Sequence, residues 1–300
     1  MRILIFTNTK DLQIPMKASL VAISLGLFAL SVFVNCRAQS PPPSQSKEVV
    51  VVIDPGHGGT KNVGNINDRS LSKFNNAWTA TGMKQGKEAG AVPDTYEKFL
   101  ALELSKRIAE HINRKGAQTT PRIVAVLTRT TDENPNMIER AKKARDVGAS
   151  SFVSIHFNAH EEGVEPKEQG SEAMICSESH GNSKYDLDRK FGVRLAAASE
   201  RGLKRLVPTL RSRRPESEGL WDDSKLNPVK KGGPWLGSHL FHQLNKFPEL
   251  ARTPACFLEV AFIDNPEIDQ KLLKNGKWRE TFPVISEEIA GEIVKWHTPK

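Results

Sequence analysis

Five consecutive β-branched residues, Val49 to Ile53, constrain this chain most. A strand with one wet face alternates apolar and polar side chains, whereas an unbroken apolar run forms a strand covered on both faces, as in parallel sheets with helices above and below. The run ends in Asp54-Pro55-Gly56-His57-Gly58-Gly59. A histidine is therefore presented in the turn that leaves a buried strand, among glycines that permit positive φ and add little bulk around the imidazole. These glycines are not a phosphate cradle. The dinucleotide pattern G-x-G-x-x-G needs glycine where Lys61 stands, and no G-K-[ST] follows.

The remaining pattern extends the first strand into an α/β domain. Residues 60–92 are rich in Asn, Gly, Ser and Thr without a sustained period, so they read as a long excursion. Asp94-x-x-Glu97 then opens a helix with Leu100, Leu104, Ile108 and Ile112 along one face and Gly116 as its stop. Strands are expected at 122–128, 151–158, 172–176 and 255–263, with helices at 138–146, 185–200 and 282–296. Asn265-Pro266-Glu267 is an N-cap and first turn in the expected order. The expectation is one α/β domain over 48–298: a mostly parallel, twisted sheet of about six strands with helices on both faces, and insertions at about 60–92 and 204–254. The second insertion reads as irregular, with a helical interlude near 235–244.

The first 38 residues read as a signal peptide and 39–47 as an extended, proline-rich linker. Ala18 to Val34 carries no charge and follows Lys17, while Cys36 and Ala38 occupy the small-residue positions of a peptidase site. An uncleaved anchor is the alternative, and Met16 is a candidate start. Cleavage after Ala38 removes four basic and one acidic side chain, reducing the net charge from +8 to +5. Residues 201–233 alone hold nine basic and four acidic side chains, so the excess belongs to one segment, not to the domain. Cys176 and Cys256 remain in apolar runs without a C-x-x-C spacing, which suits two buried thiols, with a single disulfide as the alternative.

Four residues stand out chemically. His57 and His156 both follow apolar strands, at the carboxyl edge where open parallel sheets bind ligands. Glu97 sits in the first turn of a helix, where it serves equally well as half of a capping box. Glu259 lies within Ala255-Cys256-Phe257-Leu258-Glu259-Val260-Ala261-Phe262, a costly place for a carboxylate unless it is paired, metal-linked or protonated. A buried salt bridge would also satisfy it. Two imidazoles and one carboxylate are the donor set of a catalytic zinc that keeps an open position, and a second glutamate beside them can serve as acid and base.

The order of these residues within their motifs resembles the type 3, AmiC-like N-acetylmuramoyl-L-alanine amidases. The matching stretches are Val52 to Gly59, Glu97-Lys98, Leu127-Thr128-Arg129, Glu139-Arg140, Ser154 to Ala159, and Leu258 to Asn265. Together they span almost the entire chain beyond the signal peptide. The resemblance implies one zinc per chain held by His57, Glu97 and His156, and Glu259 as the catalytic acid and base. It implies hydrolysis of the amide between the lactyl group of N-acetylmuramic acid and the L-alanine of the stem peptide, in cell wall remodelling or cell separation. Arg129 and Asn158 fall on pattern positions and are expected to support the site, while His160 is either a substrate contact or a surface histidine. His57 and Glu97 are further apart than the family requires, so Glu88 is an alternative ligand. Ala89-Gly90-Ala91-Val92-Pro93 cannot open the helix expected there, which favours Glu97.

The sequence therefore predicts an exported peptidoglycan amidase acting in the periplasm or outside the cell, as a monomer with no membrane span in the mature chain. A zinc peptidase of other specificity and a peptidoglycan-binding module without turnover are the alternatives. A weak, local positive charge gives no support for nucleic-acid binding. The resemblance implies that the 204–254 insertion could serve as a lid lifted by an activator protein; the alternative is a solvated loop that grips anionic wall polymer or nothing at all.

Overall fold

The computed structural model describes residues 48–62, 64, 96–160, 168–225 and 236–298. The expected signal peptide and linker, Glu88, Asp94 and almost all of the 60–92 excursion lie outside the described residues. Six strands form one sheet: β1 (Val49–Pro55), β2 (Ile123–Leu127), β3 (Ser151–Asn158), β4 (Glu172–Ile175), β5 (Leu220–Asp222) and β6 (Ala255–Phe262). Their order is β2-β1-β3-β6-β4-β5. β1 pairs parallel with β2 and β3, and β3 with β6. β4 runs antiparallel to β6 and takes β5 alongside it in parallel. The expected mostly parallel α/β domain is borne out.

Period-two alternation divides the strand residues between two cores. Val51, Ile53, Val153, Ile155 and Leu258 face a layer of three helices, α1 (Glu97–Gly116), α3 (Tyr185–Leu206) and α5 (Trp278–His297), packed through Leu104, Ile108, Phe191, Leu195, Phe282 and Ile289. Val52, Phe152, Met174 and Phe257 face the other side, covered by α2 (Met137–Asp146) and α4 (Leu236–Asn245) through Ala141, Ala144, Leu240, Phe241 and Leu244. No described helix is long and apolar enough to cross a membrane. Cys256 lies in the first core and Cys176 in the second, and both are free thiols.

The described parts of 204–254, a stretch expected to be largely irregular, are woven into the domain. α3 runs on to Leu206, β5 extends the sheet, and α4 supplies part of the second core. Their basic residues are largely committed as well: Arg205 pairs with Glu288, and Arg213 and Arg214 with Glu172. Residues 226–235 of this insertion lie outside the described residues. Asn265 caps the helical turn Pro266–Ile268 by accepting from Glu267 and Ile268, as the sequence suggests.

Gly116 ends α1 for a reason other than the expected left-handed stop, because its successor Ala117 is still right-handed (φ −63°, ψ −20°). The helix terminus lies directly on β2, and a Cβ at residue 116 would stand 2.1 Å from the Ile123 carbonyl oxygen. Alanine is favoured over glycine within a helix by about 1 kcal/mol, but overpacking costs about 1–3 kcal/mol, and here the clash is with backbone that cannot rotate away. Gly116→Ala is therefore expected to lower the urea midpoint with no change in the slope of the transition; a rise in the midpoint would show that β2 yields.

Candidate metal centre

The turn after β1 is held by two buried arginines. Arg129 donates to the carbonyls of Pro55 (3.0 Å), Gly56 (2.7 Å), Lys98 (2.8 Å) and Thr131 (3.0 Å). Arg140, in the first turns of α2, reaches the carbonyls of Pro55 and His57, both at 2.8 Å. This grip keeps His57 at φ +56°, in the left-handed region that side chains with a Cβ rarely adopt. α2 itself starts at a complete capping box between Asn136 and Glu139.

Three side chains meet above the turn. Glu97 Oε1 lies 3.1 Å from His57 Nε2 and 2.8 Å from His156 Nδ1, and all three ligand atoms lie within 4.8 Å of one another. His156 is clasped between Phe257, which stacks on it at 3.6 Å between centroids, and the backbone of Gly56. A Cβ at residue 56 would fall 2.2 Å from His156 Cε1, so glycine is needed here for space. The expected capping role of Glu97 does not occur: Tyr96 is the N-cap without a side-chain cap, and the Glu97 carboxylate also accepts from Phe157 N at 3.1 Å.

Hydrogen bonds on the far side of each ring set its tautomer. Ser154 Oγ donates to Asp54 Oδ2 at 2.6 Å, so it accepts from His156 Nε2–H at 3.1 Å and leaves the Nδ1 lone pair facing Glu97. Asn62 Nδ2 donates to Asn134 at 3.1 Å, which turns its Oδ1 toward His57 Nδ1 at 2.7 Å and leaves Nε2 facing inward. Burial pushes His156 down to about 4 despite the adjacent carboxylate, so its ring is neutral at physiological pH. Burial also opposes a charge on His57, but the field of Glu97 outweighs it and raises that imidazole. For Glu97 burial again acts first, in the upward direction, and the two histidines overcome it and hold the carboxyl below the usual range. The cluster therefore attracts a cation, and a proton or a metal ion can relieve the same converging lone pairs.

Glu259 stands beside this cluster by sheet register, since His156 pairs with Glu259 across β3 and β6. Its Oε2 is buried with no hydrogen-bond partner among the described residues. Burial, followed by the fields of Glu97 and Glu172, pushes its carboxyl well above the ordinary value. Among the described residues no salt bridge, the alternative reading of its sequence, reaches this oxygen. A bulge in the β3–β6 pairing, between the His156–Glu259 and Asn158–Phe262 pairs, ends the regular register there.

The other expected positions have different surroundings. Asn158 Nδ2 donates to Glu172 Oε1 at 3.0 Å, away from the metal cluster. His160 is not a surface histidine: its side chain is 4% exposed, lies between Asp264 (2.9 Å) and Glu168 (2.6 Å), and packs against the Phe262 ring. Both of its ring nitrogens face carboxylates, so it is not free for substrate either. Sequence reasoning passed over Asn62, Asp54, Ser154 and Glu172. Asp54 and Glu172 carry the same signal as Glu259, an acid set against an apolar run, whereas Asn62 gives no local sign of its role.

Residues 51–290 match the protein family described as N-acetylmuramoyl-L-alanine amidase. The probable N-acetylmuramoyl-L-alanine amidase AmiB of Haemophilus influenzae is 24% identical over 239 residues, which cover 76% of this chain and 45% of that protein; the chain thus spans less than half the length of this relative. Among solved structures, AmiC2 of Nostoc punctiforme is similar with a TM-score of 0.51 at 23% identity, covering 83% of this chain and 96% of that one. Cwp6 of Clostridium difficile gives 0.53 at 20% identity, covering 83% of this chain and 29% of that one. At these identities the structural likeness concerns the fold. The family match covers most of the chain and agrees with the resemblance in its motifs: the protein belongs to the N-acetylmuramoyl-L-alanine amidases.

Proposed function

We propose that the protein is an exported peptidoglycan hydrolase of the cell envelope. It cleaves the amide between the lactyl group of N-acetylmuramic acid and the L-alanine of the stem peptide, using one zinc ion held by His57, Glu97 and His156. The observation that carries this reading is the convergence of two imidazole lone pairs, each oriented from behind, and a buried carboxylate oxygen, next to a buried acid whose Oε2 has no hydrogen-bond partner among the described residues. Neutral nitrogen and carboxylate oxygen donors suit zinc, and three protein ligands leave a position for substrate. Bound there, zinc supplies a Lewis acid that polarises the scissile carbonyl and acidifies water.

The chain's own residues do the rest. Asn62 and Ser154 keep the two ring lone pairs aimed inward, and Asp54 anchors Ser154. The Glu259 carboxylate takes the proton of the attacking water and hands it to the amide nitrogen as the C–N bond breaks, leaving a lactyl carboxylate and the free amine of alanine. Its surroundings raise its affinity for that proton, which it must hold between attack and bond cleavage.

Mass spectrometry of peptidoglycan treated with the purified protein tests the bond. Stem peptides with a free L-alanine amine are expected, lost on zinc chelation and regained with zinc; cleavage between stem amino acids would identify a peptidase instead. Glu259→Gln is expected to lower kcat about 10²- to 10⁴-fold while zinc content stays at one per chain. Equal loss of zinc and activity would assign Glu259 to the ligands. Gly56→Ala, which drives a Cβ into the His156 ring, is expected to abolish stoichiometric zinc binding in elemental analysis of the dialysed protein, although it alters no ligand.

A further inference from the structure

The geometry points to a second subsite: Arg213 and Arg214 form a receptor for a free carboxylate on the stem peptide, a few residues beyond the scissile amide. This inference rests on the proposed amidase reading for the identity of the substrate, and on separate observations for the site.

Glu172 is the antiparallel register partner of Glu259, as Glu259 is the parallel partner of His156, so the three lie abreast on one face of the sheet. Adjacent strands are about 4.8 Å apart, which puts Glu172 roughly 10 Å from His156, the reach of about three extended residues. Two guanidinium groups meet this carboxylate. Arg214 Nε donates to Glu172 Oε2 at 2.9 Å; Arg213 Nε lies 3.3 Å from the same oxygen and makes no hydrogen bond with it. Glu168, which pairs with His160 at 2.6 Å, also lies in the field of Arg213, so recognition here rests on the terminal Nη donors and not on an excess of charge.

Both guanidinium groups sit over aromatic rings. Arg213 lies over the Phe262 ring at 5.3 Å and Arg214 over Trp221 at 5.3 Å. Their backbone is held too: Gly219 N donates to the Arg214 carbonyl at 2.9 Å, and Gly170 packs so closely that a Cβ there would lie 2.7 Å from Arg213 N. No hydrogen bond reaches the terminal Nη groups of either arginine from the described residues, and each side chain is 27% exposed. A guanidinium seated over an aromatic ring with its Nε side turned to an internal acid offers its remaining N–H donors as a fork, the geometry that grips a carboxylate in two-point fashion.

The test measures binding of two synthetic stem peptides to the zinc-loaded full chain by titration calorimetry, one with free carboxylates and one with carboxamides in their place. The same pair attached to N-acetylmuramic acid is used for kcat and KM. Wild type is expected to prefer the carboxylate form by roughly 10- to 100-fold, the span of a charge-assisted pair. Arg213→Lys and Arg214→Lys keep a positive charge against Glu172 but lose the fork, and each is expected to reduce that preference severalfold, in KM more than in kcat. A merely structural role would weaken both peptides equally. Equal affinity of wild type for the two peptides, an unchanged preference in both lysine variants, or stronger competition by glycerol phosphate than by a free carboxylate would each overturn the subsite. Selective binding without amide cleavage would overturn the amidase reading and leave the subsite standing; cleavage without selectivity would do the reverse.

Discussion

The Asp54 carboxylate, sealed at the carboxyl end of β1, is the constraint on which the site depends. Left unpaired there, a carboxylate would cost several kcal/mol. Thr128 from the end of β2, Arg140 from α2 and Ser154 from β3 therefore converge on it at 2.5–2.6 Å. One acid thus ties the ends of three elements that are distant in sequence. The same contacts have a chemical consequence, because the Ser154 hydroxyl that donates to Asp54 must accept from His156. Satisfying a buried charge and fixing the tautomer of a ligand imidazole are one event.

The acids on the neighbouring strands follow a related logic with the opposite outcome. Glu172 and Glu259 are register partners, but among the described residues only Glu172 is given cations and an amide. Glu259 faces the fields of two other carboxylates with one oxygen unpartnered, so its surroundings favour the protonated form. A buried acid whose surroundings raise its hold on a proton in this way is placed to exchange one. The sheet's hydrogen-bond register performs this sorting: a slip of one residue in β6 would turn Glu259 to the opposite core and leave Glu172 beside an apolar side chain.

Much of this was legible in the sequence, for identifiable reasons. β1, β3 and β6 are long runs without polar interruption, and their ends carry His57, His156 and Glu259 at positions where a polar residue is conspicuous. β5 was not legible, because three residues carry no periodicity and Leu220–Asp222 becomes a strand only through pairing with β4. Gly116 was legible as a helix end but not as a contact with Ile123, since close approach leaves no trace in local sequence. The burial of His160 was hidden for the same reason, as Asp264 lies over a hundred residues further along the chain.

The basic segment shows how composition can mislead about destination. Counted as charge, Arg213 and Arg214 belong to a positive stretch fit for a wet loop. In the fold, the acid at the head of β4 needs compensation, and no basic residue on β4 or β6 can provide it. The requirement is met by a segment that must first close β5 onto the sheet edge, so Trp221 and Gly219 from that closure become the platform and the backbone clamp for Arg214. Recruiting a charge from outside the strands thus brings its scaffold with it. A guanidinium delivered this way is only partly consumed by the acid that required it, and an electrostatic repair inside the fold becomes a surface able to recognise another acid.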